Sequence, residues 1–383
     1  MSNRAIVIDA LAGCTSELLN LSEANDTQLM KKLISSPNIE LDVEDAGTTM
    51  RFLTAFCSIT SKNKVITGTD RMKQRPIGIL VDALRKLGAE IEYLEKEGFP
   101  PIKTQGFKGQ LTSELSIRSD VSSQYISALM MVAPTLPKGL TIKFEGSVTS
   151  RPYIEMTASL MKQFGVDCQV LEKEVMIPHK SYMPTSITVE SDWSAASYWY
   201  AFTALSEKAE IELPDMTMQS LQGDREIVDI MEILGVRSEP KGNSLVLSKK
   251  DHMDELTWDF THCPDLAQTA AVVCAAKGIR GRFTGLESLR IKETDRIKAL
   301  QHELEKMGAM FLEKDGKWIL MPSEKRSFTS LSFNTYLDHR MAMAFAPLAT
   351  LADVTIEDHE VVKKSYPKFW EDVQLFGIAT KIN

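Results

Sequence analysis

Apolar residues recur along this chain at helical spacing, four times in the same frame. Counting back one, four, eight and eleven residues from Gly88 gives Leu87, Leu84, Leu80 and Ile77. The same count from Gly165 gives Phe164, Met161, Thr157 and Ile154, and from Gly235 it gives Leu234, Met231, Ile227 and Asp224. From Gly308 it gives Met307, Leu304, Leu300 and Ile297. Steps of three and four put each set on one helix face, and a glycine just beyond the last position is where such a helix stops. The glycines lie 77, 70 and 73 residues apart, so the chain reads as a repeat. Only Thr157 and Asp224 interrupt the apolar face. A short strand-like piece follows each glycine: Ala89–Tyr93, Val166–Val170, Val236–Ser238 and Ala309–Phe311.

A second kind of helix alternates with the first. It begins with polar residues and then runs apolar on nearly all sides, the pattern of a buried helix. Its members begin near Ser2-Asn3-Arg4, Gly47-Thr48-Thr49, Ser122-Ser123-Gln124, Ser194–Ser197, Asp265–Gln268 and Asp338-His339-Arg340. Paired with amphipathic helices, the first over Asp26–Ser36, they make six repeats separated by β-rich pieces such as Leu140–Phe144 and Leu245–Leu247. Three and three is the natural division, with a compact join near Val189-Glu-Ser-Asp192. The expected domains are therefore 1–190 and 191–383.

Helix N-termini carry unsatisfied N–H groups and a positive partial charge, so several facing one cleft would form an anion site. Here the polar beginnings hold Arg4, Arg51, Ser122, Ser123, Gln124, His339 and Arg340, and two amphipathic helices open on Arg75-Pro76 and Arg151-Pro152-Tyr153. A hydroxyl at any one of these places is explained as a capping group; its repetition at nearly every helix mouth is more than capping requires. The stretch Leu289–Ile297 adds Lys292, Glu293, Asp295 and Arg296 just before an amphipathic run. By itself this is the pattern of a capped surface helix, with Glu293 and Arg296 spaced to share a face once helical geometry has begun.

Composition narrows the partners. A net charge of -8 without a basic stripe excludes a general nucleic-acid binder but allows a local basic pocket. The five cysteines form no CxxC and read as reduced thiols of a cytoplasmic protein. The six histidines show no metal-ligand spacing. No apolar run reaches the roughly 18 residues of a membrane span.

Ten short motifs, in order, resemble the 3-phosphoshikimate 1-carboxyvinyltransferase (5-enolpyruvylshikimate-3-phosphate, EPSP, synthase) family. They are Ser2-Asn3-Arg4, Ala46–Arg51, Arg75–Gly78, Val121–Tyr125, Ser150–Tyr153, Gln222-Gly-Asp224, Pro264-Asp265, Lys292–Arg296, Asp338–Ala342 and Lys364–Pro367. The resemblance implies an α/β (α+β) fold of two similar domains, each of three βαββαβ units around buried parallel helices, which close on substrate. It also implies transfer of the enolpyruvyl group of phosphoenolpyruvate to the 5-hydroxyl of shikimate 3-phosphate, with release of phosphate, in the shikimate pathway. No metal or organic cofactor is implied, and a cytoplasmic monomer that binds neither nucleic acid nor membrane is expected.

By motif position, Asp265 would take the 5-hydroxyl proton and Glu293 would carry the methylene proton. Arg4, Ser122, Ser123, Gln124, Ser150 and Tyr153, with Asp265, would hold shikimate 3-phosphate, placing it on the N-terminal domain. Gly47, Arg75, Gln124, Arg296, Arg340 and Lys364 would hold phosphoenolpyruvate, with Lys292 and His339 in support.

Two departures from the family pattern stand out. The family's first motif runs Lys-Ser-x-Ser-Asn-Arg, and this sequence opens at the second serine, without the lysine or the strand before it. The resemblance then implies either a longer native N-terminus or a catalytically impaired, anion-binding relative. Asp45 also stands where the family usually has asparagine, a placement that needs a compensating partner beside anionic substrates. The related transfer to UDP-N-acetylglucosamine uses a reactive cysteine before the Arg-Pro, and Asp70–Arg75 contains none.

Overall fold

The computed structural model describes residues 1–118, 123–146, 151–324 and 330–381. The chain forms two compact units, Met1–Val189 and Glu190–Asn383, each with its own apolar core. One core gathers residues such as Phe52, Leu84, Leu129 and Phe164, the other Trp193, Phe202, Val272 and Phe345.

Three repeats show the full architecture. In one, strand Glu40–Asp42 pairs parallel with Lys64–Thr67, which pairs antiparallel with Ile102–Phe107, which in turn pairs antiparallel with Ala89–Tyr93. The same order holds for Glu114–Arg118, Leu140–Glu145, Glu174–Ile177 and Gln169–Val170. It holds again for Glu255–Asp259, Arg280–Thr284, Lys317–Met321 and Met310–Lys314. A parallel pair needs a crossover, and the buried helices Gly47–Ile59, Ser123–Val132 and Ala267–Lys277 supply it. The amphipathic helix then returns the chain to a two-stranded hairpin. Within a repeat the order is therefore β-α-β-α-β-β, not the expected βαββαβ: both helices precede the hairpin, because antiparallel neighbours need only a turn.

The other repeats are shorter. Glu210–Leu213, Ser244–Lys249 and Val236–Lys241 form a three-stranded sheet, and Ser330–Phe333 with Asp353–Ile356 a two-stranded one. In the opening repeat, Glu17–Leu19 pairs parallel with Ser186–Thr188, so the end of the first unit completes the sheet at its beginning.

The four repeat glycines all take left-handed backbone, with φ of 113°, 86°, 100° and 73° at Gly88, Gly165, Gly235 and Gly308. At Gly88 a Cβ would also fall 2.1 Å from the Gly109 carbonyl oxygen. The amphipathic helix before Gly235 begins later than the apolar pattern suggests: residues 223–226 form a 3₁₀ turn, and the α-helix is Ile227–Leu234. The strand expected over Val166–Val170 is confined to Gln169–Val170.

Candidate active site

In the second unit, three helix starts bring their charges together. Pro264–Leu266 is a 3₁₀ turn ahead of the helix Ala267–Lys277, and it presents Asp265. The helix Arg296–Glu305 starts at Arg296, capped by the Asp295 carboxylate, which accepts from the Lys298 N–H. The helix His339–Phe345 is capped by Asp338, which accepts from the Arg340 N–H at 2.9 Å.

Arg296 is the hub, and it is only 1% exposed. Its Nε donates to Asp338 Oδ2 at 2.7 Å, its Nη1 to Asp265 Oδ1 at 2.9 Å, and its Nη2 to Glu293 Oε2 at 2.8 Å. Glu293 lies outside the helix, three residues before its first residue Arg296, so the pair does not share a helical face. The carboxylate reaches Arg296 from the non-helical segment. Nor is this a surface cap: a planar guanidinium with five donors can serve three carboxylates at once, and burial leaves no alternative partner in water.

Each proposed acid-base carboxylate also has a second cation. Asp265 Oδ2 accepts from Arg340 Nη2 at 3.1 Å, and Lys292 Nζ stands 3.5 Å from Oδ1. Lys364 Nζ donates to Glu293 Oε1 at 3.1 Å. Burial would raise the Asp265 pKa, but Arg340, Lys292 and Arg296 outweigh it and hold the group well below the usual carboxylate range. Burial would likewise lower the Arg296 pKa, and Asp338, Glu293 and Asp265 reverse that. His339 is different: burial pulls it down to about 3, so its ring is neutral near pH 7.

Arg340 is seated further by Ser194 Oγ at 3.3 Å and Tyr198 OH at 3.5 Å. Ser194 in turn donates to Asp224, a buried carboxylate whose Oδ1 accepts no hydrogen bond among the described residues. Burial, then the charge of Asp265, raises Asp224 to about 6.

The first unit holds its cations by other means. Arg4 donates from Nε to Thr157 Oγ1 at 2.8 Å and from Nη2 to Ser127 Oγ at 3.3 Å, with its guanidinium over the Phe52 ring. Arg51 Nη1 donates to the Gly47 carbonyl at 2.7 Å, and Arg75 Nη1 to the Asp45 carbonyl at 3.5 Å. These two guanidiniums converge on Gly47, where a Cβ would lie 2.7 Å from each. Asp45 accepts through its side chain from the Thr69 hydroxyl, which turns that carboxylate to a local partner. Gln124 Nε2 donates to Thr48 Oγ1 at 3.1 Å, Ser123 starts the helix Ser123–Val132, and Tyr153 lies in the first turn of Arg151–Gln163. Ser122 and Ser150 lie outside the described residues.

The sequence signals for the remaining participants were present but unassigned. Arg51 closes the Ala46–Arg51 motif, Asp338 opens the Asp338–Ala342 motif, and Asp224 ends Gln222-Gly-Asp224. Thr157 and Asp224 are also the two polar interruptions of the repeated apolar face. Each is buried, and each holds a polar partner: Thr157 accepts from Arg4, and Asp224 from Ser194.

Comparison with known proteins decides the family. The family model for EPSP synthase (3-phosphoshikimate 1-carboxyvinyltransferase) matches residues 31–373. The chain belongs to the EPSP synthase family. A 3-phosphoshikimate 1-carboxyvinyltransferase of Bacteroides fragilis (strain YCH46) is 45% identical over 387 residues, covering 100% of this chain and 94% of the relative. One from Vibrio cholerae serotype O1 (strain M66-2) is 36% identical, covering 97% of this chain and 93% of its own. The solved EPSP synthase of Acinetobacter baumannii is 19% identical and superposes with a TM-score of 0.76, covering 98% of this chain and 94% of that one. That likeness gives the EPSP synthase fold, two similar α/β domains. Among the described residues no helix is long and apolar enough to cross a membrane.

Proposed function

We propose that this EPSP synthase family member transfers the enolpyruvyl group of phosphoenolpyruvate to the 5-hydroxyl of shikimate 3-phosphate, with Asp265 and Glu293 as its proton-transfer groups. The observation that carries the assignment of roles is the buried guanidinium of Arg296, which grips both carboxylates and Asp338 at once.

The chemistry needs two proton movements. The substrate hydroxyl loses its proton as its oxygen bonds to C2 of phosphoenolpyruvate, and the methylene carbon gains one. The tetrahedral adduct then loses a methyl proton and expels phosphate, which restores the enol ether. Asp265 is the base at the hydroxyl; Glu293 delivers and recovers the proton at carbon. Paired with Arg296, Arg340 and Lys292, Asp265 is too well neutralised to be a strong base. Anionic groups arriving at Arg340 and Lys292 would draw those cations away and raise its basicity.

Arg75, Arg296, Arg340 and Lys364 would bind phosphoenolpyruvate, with Gly47 and Gln124 at close approach and Lys292 and His339 in support. The first unit would take shikimate 3-phosphate through Arg4, Ser122, Ser123, Gln124, Ser150 and Tyr153, while the second supplies acid-base groups and most phosphoenolpyruvate contacts. We further propose a cytoplasmic monomer that acts on these small molecules and binds no nucleic acid. Nothing in the comparisons favours a catalytically impaired relative.

Phosphate release from this chain, given both substrates, tests the reading. Turnover that needs both substrates is expected. Binding of shikimate 3-phosphate without any release of phosphate would overturn it.

A further inference from the structure

The segment leading into Asp338-His339-Arg340 is strained. Tyr336 and Leu337 are consecutive non-glycine residues with φ of 53° and 57°, and Leu337 is largely exposed. Left-handed backbone disfavours large side chains, and it persists only where surrounding contacts enforce it. The enforcing contact comes from the helix that begins with Arg296. Glu303, with its side chain wholly buried, accepts from Tyr336 OH at 2.6 Å, from the Asn334 N–H at 3.1 Å and from Lys306 Nζ at 2.6 Å. Asn334 Oδ1 accepts from the Tyr336 N–H at 2.6 Å, and His302 Nδ1 lies 2.5 Å from the Tyr336 oxygen.

Glu303 lies seven residues after Arg296, about two turns along one face of the same helix. That face therefore grips a single turn at two points: Glu303 holds Asn334 and Tyr336, and Arg296 holds Asp338. We propose that Glu303 and Tyr336 are positioning residues, fixing the strained 334–338 turn so that Asp338 takes the Nε and Nη2 side of the Arg296 guanidinium, with Nη2 shared with Glu293 and Nη1 left for Asp265. The inference rests on the proton-transfer roles given above. If the turn relaxes, Asp338 moves and the fork that orients both carboxylates moves with it. Displacements of an ångström at such a fork cost large factors in rate.

The test compares Tyr336→Phe, Leu337→Asn and the double variant in the full chain. Asparagine tolerates left-handed backbone, so it removes strain without removing the clamp. Tyr336→Phe should lower kcat about tenfold with unchanged thermal unfolding, and backbone amides of 338–341 should exchange hydrogen faster. Leu337→Asn alone should match wild type, and in the double variant it should restore both kcat and protection. A merely structural hydroxyl would instead lower the melting temperature and leave kcat per folded molecule unchanged; that result overturns the proposal, as does loss of kcat that Leu337→Asn fails to restore. If the wild-type chain shows no turnover, the proton-transfer reading fails, and exchange alone decides this inference. Faster exchange at 338–341 reversed by Leu337→Asn supports it, and unchanged exchange overturns it.

Discussion

The two units hold their arginines in opposite ways. Arg4 in the first is seated by hydroxyls, and burial lowers it to about 10, so it stays cationic near neutrality. Arg51 and Arg75 donate to backbone carbonyls. The hydroxyl acceptors of Arg4 fix its guanidinium in place without consuming its charge, which stays available to an anion. In the second unit Arg296 is surrounded by Asp265, Glu293 and Asp338, and its own pKa is raised. A guanidinium so encircled also sets the geometry and ionisation of its carboxylates. On the roles proposed above, Arg4 serves recognition alone while Arg296 also orients the proton-transfer carboxylates, and substitutions should separate along that line.

The largest separation should come from Asp265→Asn. The amide keeps the shape and loses the base, so kcat should fall roughly 10²–10⁴-fold, the range for a positioned acid-base group. Binding of shikimate 3-phosphate, measured by calorimetry, should change little. Turnover within a few-fold of wild type would remove Asp265 from the role and erase the contrast between the units.

Much of this was legible in the sequence, for reasons visible in particular residues. The repeated apolar face ending in Gly88, Gly165, Gly235 and Gly308 announced the repeats, because a 3.6-residue period and a left-handed stop are local properties. The order of strands was not, since nothing local distinguishes a hairpin strand from a crossover strand. The charged cluster at Lys292–Arg296 was visible, but burial of Arg296 was not. Its partners Asp265 and Asp338 are 31 and 42 residues away, and only the fold unites them. Thr157 and Asp224 carried the reverse lesson. Each broke a pattern otherwise kept, and each holds a partner tied to the site, as expected where local rules yield to function.

Next in size is a pH effect in the second unit. His339 falls from an ordinary value near 6.5 to about 3 through burial; Asp338 and Glu293 raise it, while Lys364 and Arg340 lower it further. The unfolded chain therefore binds a proton below about pH 6.5 that the folded chain refuses, so stability is lost as pH falls from there toward 3. Between pH 6.5 and 4.5 this group should cost roughly 2 kcal/mol. Urea titrations of His339→Gln should show an acid limb shallower by that amount, with the Asp265 contribution remaining at lower pH. An unchanged limb would mean that the ring is not held neutral.

Asp224 carries the opposite sign. Its folded pKa is raised to about 6, so its charge opposes folding increasingly above pH 4, and fully above 6. Asp224→Asn should stabilise the protein by about 2 kcal/mol at pH 8 and by almost nothing at pH 4. Equal effects at both pH values would point to packing in place of charge.

The smallest effect tests the first unit. A methyl at Gly47 would lie 2.7 Å from Arg51 Nη1 and from Arg75 Nη2. Both contacts are with ends of flexible side chains, so they can yield without unfolding the helix Gly47–Ile59. They would yield by swinging off the point on which they converge. Gly47→Ala should therefore raise KM for phosphoenolpyruvate by about tenfold, roughly 1.4 kcal/mol of lost binding, with kcat nearly intact. That split is what hydroxyl- and carbonyl-held cations predict, because they bind the ground state and the transition state alike. A fall in kcat at constant KM would mean that the first unit also shapes the proton-transfer geometry, and the division between the two halves would have to be withdrawn.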